Sequence, residues 1–171
     1  KLNKALPTIS ILHTGGTIAS AVDYRTGGVI SRFSPEDIVA MFPELGKIAN
    51  IKSRLIRNMW SDDMRFPHYN LLAKEVEKEI KEGVDGIIIT SGTDTLHYSA
   101  AALDFVLEGL HTPVIIVGSQ RSSDRGSSDA FVNLISASYF ITKTDFAGVA
   151  ICMHENISDD SCFILPATKT R

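Results

Sequence analysis

The chain has 171 residues and a formal net charge of −3, and it is 44% hydrophobic and 22% charged. That is one domain's worth of sequence with enough apolar side chains for a core, which excludes a disordered segment. Mixed acids and bases give no basic patch for nucleic acid, no run nears the roughly 20 apolar residues of a membrane span, and no signal peptide is expected.

The polar lead KLNKALP (1–7) is expected to be a linker from an upstream segment, with one domain over 8–171. The start at Lys1 and the end in PATKTR lead us to expect a piece of a longer protein. TISILH (8–13) is the first β-rich run, and it breaks into Thr14-Gly15-Gly16-Thr17. YRTGGVIS (24–31) is expected to be a small excursion. FSPEDIVAMF (33–42) opens with Ser34, Pro35 and Asp37, the pattern of a helix N-cap followed by proline. IKSRLIRNM (51–59) is a further strand. YNLLAKEVEKEIKEG (69–83) stripes Leu72, Val76 and Ile80, pairs Glu77 with Lys81 on the wet face, and ends at Gly83. GIIIT (86–90), PVIIVG (113–118) and GVAICM (148–153) are strands. Between them, 95–109 stripes Leu96, Ala100, Leu103 and Leu107, and 127–141 stripes Ala130, Leu134, Ala137 and Ile141.

The strand runs are nearly continuous in apolar residues, as strands buried on both faces are. Strand and helix alternate. The expected fold class is α/β, a three-layer domain with a mostly parallel sheet and helices on both faces. Cys152 and Cys162 make no disulfide framework, and Cys152 is read as a small core residue. A reducing cytoplasm is the expected setting.

In open parallel sheets, ligands sit at the carboxyl ends of the strands. Two of those ends present Gly-Thr. In TGGT, Gly15 and Gly16 permit a sharp turn whose exposed N–H groups suit an oxyanion or a carboxylate, and Thr17 puts a hydroxyl beside them. The alternative is a plain strand-to-helix turn capped by Thr17. In TSGTDT, Gly92 precedes Thr93, Asp94 and Thr95. Asp94 either caps the next helix or, beside a hydroxyl, binds an ammonium group and orients a nucleophile. Neither a dinucleotide nor a P-loop glycine pattern is present. A threonine nucleophile needs a base. His13 lies inside a strand, while His97 and His154 are read as core or surface residues. Tyr24, on a glycine-flanked loop just after Thr17, or a lysine is the better candidate. The loop QRSSDRGSSD (120–129) reads either as a helix start capped by Ser127 or Ser128, which Asp129 fits, or as a binding loop whose Asp124 and Arg125 contact a partner.

TGGTIAS together with GTDTLHYSAAAL resembles the bacterial-type L-asparaginase family of amidohydrolases. VDYRTGGV, NMWSDDM, GSQRSSDRGSSDA and CMHENISDD are similar to the branch of that family that serves archaeal glutamyl-tRNA(Gln) amidation. The likeness runs from about residue 8 to the end and implies the N-terminal, catalytic domain of an asparaginase-like unit, with a C-terminal domain beyond it. It implies a glutaminase releasing ammonia from glutamine for tRNA-dependent amidation. The alternatives are a free L-asparaginase and, in another class, a non-catalytic small-ligand binding domain.

By the same resemblance, Thr17 is the nucleophile, Tyr24 its helper on a mobile loop, and Thr93 and Asp94 the second threonine and its aspartate. Asp94 also grips the substrate α-ammonium. Ser61 and Asp62 sit where the α-carboxylate is held, Gly16 and Gly92 lie on the substrate-binding turns, and the backbone carbonyl of Ser119 faces the leaving amide. Lys169 is the candidate catalytic lysine near the end, although the amidotransferase pattern places that lysine slightly beyond Arg171. No metal or organic cofactor is expected. The implied partners are a tRNA-binding amidotransferase component and a second copy in a homodimer or larger oligomer, with no direct nucleic-acid or membrane contact from this segment.

Overall fold

The computed structural model describes residues 3–22, 25, 29–31, 37 and 40–171. Tyr24 and most of the helix expected over 33–42 lie outside the described residues. Among the described residues the strands are β1 (Thr8–His13), β2 (Ser20–Val22), β3 (Val29–Ser31), β4 (Asn50–Leu55), β5 (Gly86–Thr90), β6 (Pro113–Val117), β7 (Gly148–His154) and β8 (Cys162–Pro166). The helices are α1 (Leu45–Ile48), α2 (Phe66–Lys81), α3 (Leu96–Val106) and α4 (Ala130–Lys143). Six strands form one sheet in the order β4-β1-β5-β6-β7-β8, while β2 and β3 make a separate antiparallel pair.

The continuous apolar runs explain the layering. Every residue of β5 and β6 is buried. Because successive side chains point to opposite faces, Ile88 and Ile115 pack with Ala130, Leu134, Ala137 and Leu45 on the face covered by α1 and α4. Ile87, Ile89, Val114 and Ile116 pack on the other face with Leu72, Val76, Ala100 and Leu103 of α2 and α3. The expected three-layer α/β arrangement is present, and Cys152 is fully buried within it.

The structure departs from the sequence reading in several places. Strand β4 ends at Leu55 because the N–H groups of Ile56 and Arg57 both turn to the single carbonyl of His13, at 2.8 and 3.2 Å, which stops the ladder. Helix α2 starts at Phe66, with Pro67 in its first turn, and the Arg65 N–H donates to His68 Nδ1 at 3.0 Å. That histidine substitutes for the usual Glu or Gln of a capping box. Strand β8 was not anticipated. It is short, half-exposed and ends in proline, and it runs antiparallel to β7 at the sheet edge.

Chain order places the site. After β1 the chain passes to β4 at one edge and then crosses back to β5 on β1's other side. Strands β1 and β5 therefore flank the point where the winding reverses, and the crevice opens beyond their carboxyl ends.

Candidate active site

Two turns press directly on each other at that reversal. Thr14 sends both its N–H (3.1 Å) and its hydroxyl (2.8 Å) to the Thr90 carbonyl, tying the end of β1 to the end of β5. Gly15 and Gly16 then take φ of +110° and +84°. A Cβ on Gly16 would stand 2.4 Å from the Gly92 nitrogen, and one on Gly15 would stand 2.5 Å from the Met59 oxygen. The two glycines thus let backbone meet backbone. Met59, whose N–H donates to the Thr14 carbonyl at 3.0 Å, brings the segment after β4 into the same cluster. On the far side, Gly118 abuts the Thr93 methyl group.

The result is a cleft of about 710 Å³. Gly16 and Thr17 contribute from the first turn, Gly92, Thr93 and Asp94 from the second, and Ser61 from the segment after β4. Ser61 Oγ donates to Asp94 Oδ2 at 3.4 Å, and the Thr95 hydroxyl donates to the Ser61 carbonyl. The residue capping α3 is Thr95, whose side chain makes no capping bond, so Asp94 stands ahead of the helix and faces the cleft. Among the described residues, no hydrogen bond engages the Thr17 or Thr93 hydroxyl.

Other expected residues are placed differently. Tyr24 lies outside the described residues. Asp62 is exposed and off the cleft, and its carbonyl accepts from Arg65 at 2.6 Å. Ser119 is fully buried, with its hydroxyl donating to the Arg121 carbonyl at 2.7 Å. Lys169 is exposed in a 3-10 turn over Ala167–Lys169 and lines neither this cleft nor its neighbour. That neighbour, about 270 Å³, shares Thr93 and Gln120 with the cleft and is also lined by His97, His154 and Arg171. His13 is core, hydrogen-bonded to Thr90 at 2.9 Å and Ser53 at 2.8 Å.

Sequence reasoning did not place the cleft's walls. Asn58, Met59 and Trp60 form one, and Gln120, Arg121, Ser122 and Arg125 the other. Arg125, which the sequence left between a helix-entry loop and a partner-binding loop, lines the cleft, with its Nε donating to Ser122 at 3.1 Å. Ser123 donates to the Ile18 carbonyl, fixing this loop to the turn that carries Thr17. Only their position after a third strand end signalled these residues. Asp94 and Arg125 both line the cleft, while Asp159 and Asp129 answer the charge of Arg121. His154 and Arg121 hydrogen-bond Asp159 and hold its carboxyl below the usual range. Among the described residues, no group of three or more His, Cys, Asp and Glu is placed to hold a metal ion.

A six-stranded, mostly parallel sheet with two Gly-Thr turns joined at its winding reversal defines an asparaginase-type domain. This chain belongs to the asparaginase family, matching the family model of the asparaginase N-terminal region over residues 8–171. Within that family it is 48% identical over 171 residues to the D-type component of glutamyl-tRNA(Gln) amidotransferase from Methanosarcina barkeri, covering 100% of this chain and 40% of that protein. It is 48% identical over 168 residues to the protein of the same name from Pyrococcus furiosus, covering 98% and 38%. The chain thus spans about two-fifths of the length of these relatives. A probable cytoplasmic L-asparaginase from Campylobacter jejuni superposes with a TM-score of 0.78 at 29% identity, over 94% of this chain and 46% of that one. The thermostable L-asparaginase from Thermococcus kodakarensis superposes at 0.73 and 32% identity, over 84% and 43%. No helix among the described residues is long and apolar enough to cross a membrane.

Proposed function

We propose that this chain is the catalytic N-terminal part of a threonine-dependent glutaminase that releases ammonia for tRNA-dependent amidation of glutamyl-tRNA(Gln). One observation carries the reading: Thr17 and Thr93, on turns packed backbone to backbone, open onto one cleft with Asp94 beside them. The relatives named as amidotransferase components favour glutamine over asparagine as the substrate.

In this reading Asp94 takes the α-ammonium of glutamine, and the Ser61 region takes the α-carboxylate. Thr17 attacks the side-chain carbonyl carbon, with Tyr24 as its helper and Thr93 at the second hydroxyl position. Backbone N–H groups near Gly16 and Thr93 stabilise the oxyanion, each worth roughly 3–4 kcal/mol in such sites. Ammonia leaves once protonated, and water hydrolyses the acyl-enzyme. The remainder of the protein, including a C-terminal domain and the catalytic lysine beyond Arg171, completes the site. It works in the cytoplasm as an oligomer with an amidotransferase partner.

A second reading, a free L-asparaginase, draws on the structural neighbours of that name. The test is ammonia release by the full-length protein, supplied with each amide in turn. Glutamine turnover that falls about 1,000-fold or more in Thr17→Ala, with the circular dichroism spectrum unchanged, is the expected result. Turnover of asparagine alone selects the second reading. Ligand binding with no ammonia from either amide identifies a binding domain instead.

A further inference from the structure

Arg121 lines the cleft and His154 lines its neighbour, and two carboxylates join them. Asp159, in the turn between β7 and β8, accepts from Arg121 Nη2 on one oxygen and from His154 Nδ1 at 2.7 Å on the other. Asp129, fully buried just ahead of α4, closes the circuit. One of its oxygens lies 3.5 Å from Arg121 Nε and the other 3.7 Å from His154 Nε2. A carboxylate can only accept, so His154 Nδ1 carries a proton, and the bonds from His154 and Arg121 keep Asp159 ionised at neutral pH. Asp159 also has a φ of +55°, and among the described residues no other non-glycine residue has a positive φ. A left-handed backbone at such a residue persists only where its surroundings hold it.

The backbone of Arg121 is fixed without Asp159. Its N–H donates to Asp129 at 3.0 Å, and its carbonyl accepts the hydroxyls of Ser119 at 2.7 Å and Ser128 at 3.0 Å. The bond from Ser123 to the Ile18 carbonyl anchors the rest of the loop. What Asp159 adds is a hold on the guanidinium. That group is a rigid planar fork, so setting Nε toward Asp129 and Nη2 on Asp159 sets the direction of the whole group. Among the described residues no acceptor takes Nη1. The Arg121 side chain is 28% exposed and belongs to the cleft wall, so this last amino group is the part left for a ligand. Two carboxylates already answer its charge, which makes it an oriented hydrogen-bond donor rather than a bare cation.

We propose that Asp159 is a positioning residue for substrate binding: it holds the Arg121 guanidinium in the cleft wall so that the free amino group meets an oxygen of the bound amino-acid amide. This rests on the amidohydrolase reading given above. Asp159 lines neither cavity, so its effect passes through Arg121. Removing either partner therefore costs the same contact, and removing both costs it only once.

The experiment measures ammonia release over a range of glutamine concentrations, using the full-length protein with its amidotransferase partner. Asp159→Asn keeps the shape and the tolerance of a left-handed backbone but withdraws the charge. The expected result is a rise of about 10-fold in KM with kcat within about 2-fold of wild type, the signature of lost binding. Arg121→Met should raise KM by a similar factor, and the double variant should raise it no further. An unchanged KM in Asp159→Asn overturns the proposal. So do effects that multiply to about 100-fold in the double variant, because Asp159 then acts independently of Arg121. Should Asp159→Asn fail to fold, Asp159→Gly removes the carboxylate at a φ that glycine adopts freely and carries the same comparison. Unfolding of both variants shows that the circuit serves the fold and overturns the proposal as well. A wild-type protein that releases no ammonia from glutamine defeats the amidohydrolase reading and this proposal with it, whereas normal wild-type turnover with an unchanged KM in the variant defeats this proposal alone.

Discussion

At the carboxyl end of the sheet, Gly16 stands so close to its neighbour that a methyl group would collide with the Gly92 nitrogen at 2.4 Å. At the opposite end, Gly83 follows α2 with a similar φ of +81°, and a methyl group there would meet nothing within 4 Å. Both glycines adopt a left-handed backbone, yet for different reasons. Gly83 ends a helix, where the αL position needs only a residue that tolerates it. Gly16 tolerates the same angle and also leaves room for a second polypeptide turn. One end of the sheet manages chain reversal, and the other assembles a site out of abutting backbones.

The sharpest way to break this contrast is Gly16→Ala. The added Cβ meets backbone, which cannot swing aside as a side chain can, and the φ is strained as well. We expect a loss of about 3 kcal/mol or more, from overpacking and left-handed strain together. Thermal unfolding checks the stability, and ammonia release from glutamine in the full-length protein checks the site. A variant with wild-type melting and turnover would mean that the two turns separate freely and that their contact does not matter.

How much of this contrast could be read in the sequence follows the range of the forces involved. GIIIT and PVIIV announce buried strands because burial on both faces acts on every residue of the run. TGGT and TSGTDT announce special turns because glycine and aspartate, which strands disfavour, fall directly after the apolar runs. Their meeting is not local. It depends on β5 returning to lie beside β1, which no stretch of either motif encodes. The cleft walls are harder still. Asn58–Trp60 is drawn in by one N–H bond to Thr14, and Arg125 faces the cleft only because the loop after β6 folds back over Asp129. Asp129 itself looks like a helix cap in sequence, since a carboxylate before an apolar stripe usually is one. Strand β8 was missed because an edge strand with half-exposed residues lacks the continuous apolar signal.

Between the two ends, the sheet is tied to α2 by Arg54, which bridges Glu75 and Glu79, each at 2.7 Å. Burial pushes Glu79 upward, but hydrogen bonds from Arg54 and Ser10 and the charge of Arg54 outweigh it and hold its pKa below the ordinary value of 4.5. A carboxyl with a depressed native pKa adds stability above its unfolded pKa and loses it as pH falls through the native one. Arg54→Met leaves the 4% exposed Glu79 side chain without its partner. The expected cost at neutral pH is about 1–3 kcal/mol, less than for a fully enclosed pair because Arg54 is partly exposed. Stability measured by denaturant unfolding should then fall less steeply than in the wild type as pH drops below about 4.5. Parallel pH curves would show that the ion pair is not the source of the loss. Glutamine turnover should be unaffected at temperatures where the variant is folded, since Arg54 lies outside the cleft.

The smallest effect is expected at Gly83→Ala. An L-residue in the left-handed region costs about 1 kcal/mol, and with open space around the position no packing term is added. The Gly83 N–H still donates to the Ile80 carbonyl at 3.0 Å, so the helix end keeps its closing bond. Unfolding midpoints should shift by that small amount, and kcat/KM for glutamine should stay at the wild-type value. A change in turnover at this position would mean that backbone strain at the amino end of β5 is transmitted along the strand to Thr93. The two ends of the sheet would then be mechanically one unit rather than a variable loop region opposite a fixed site.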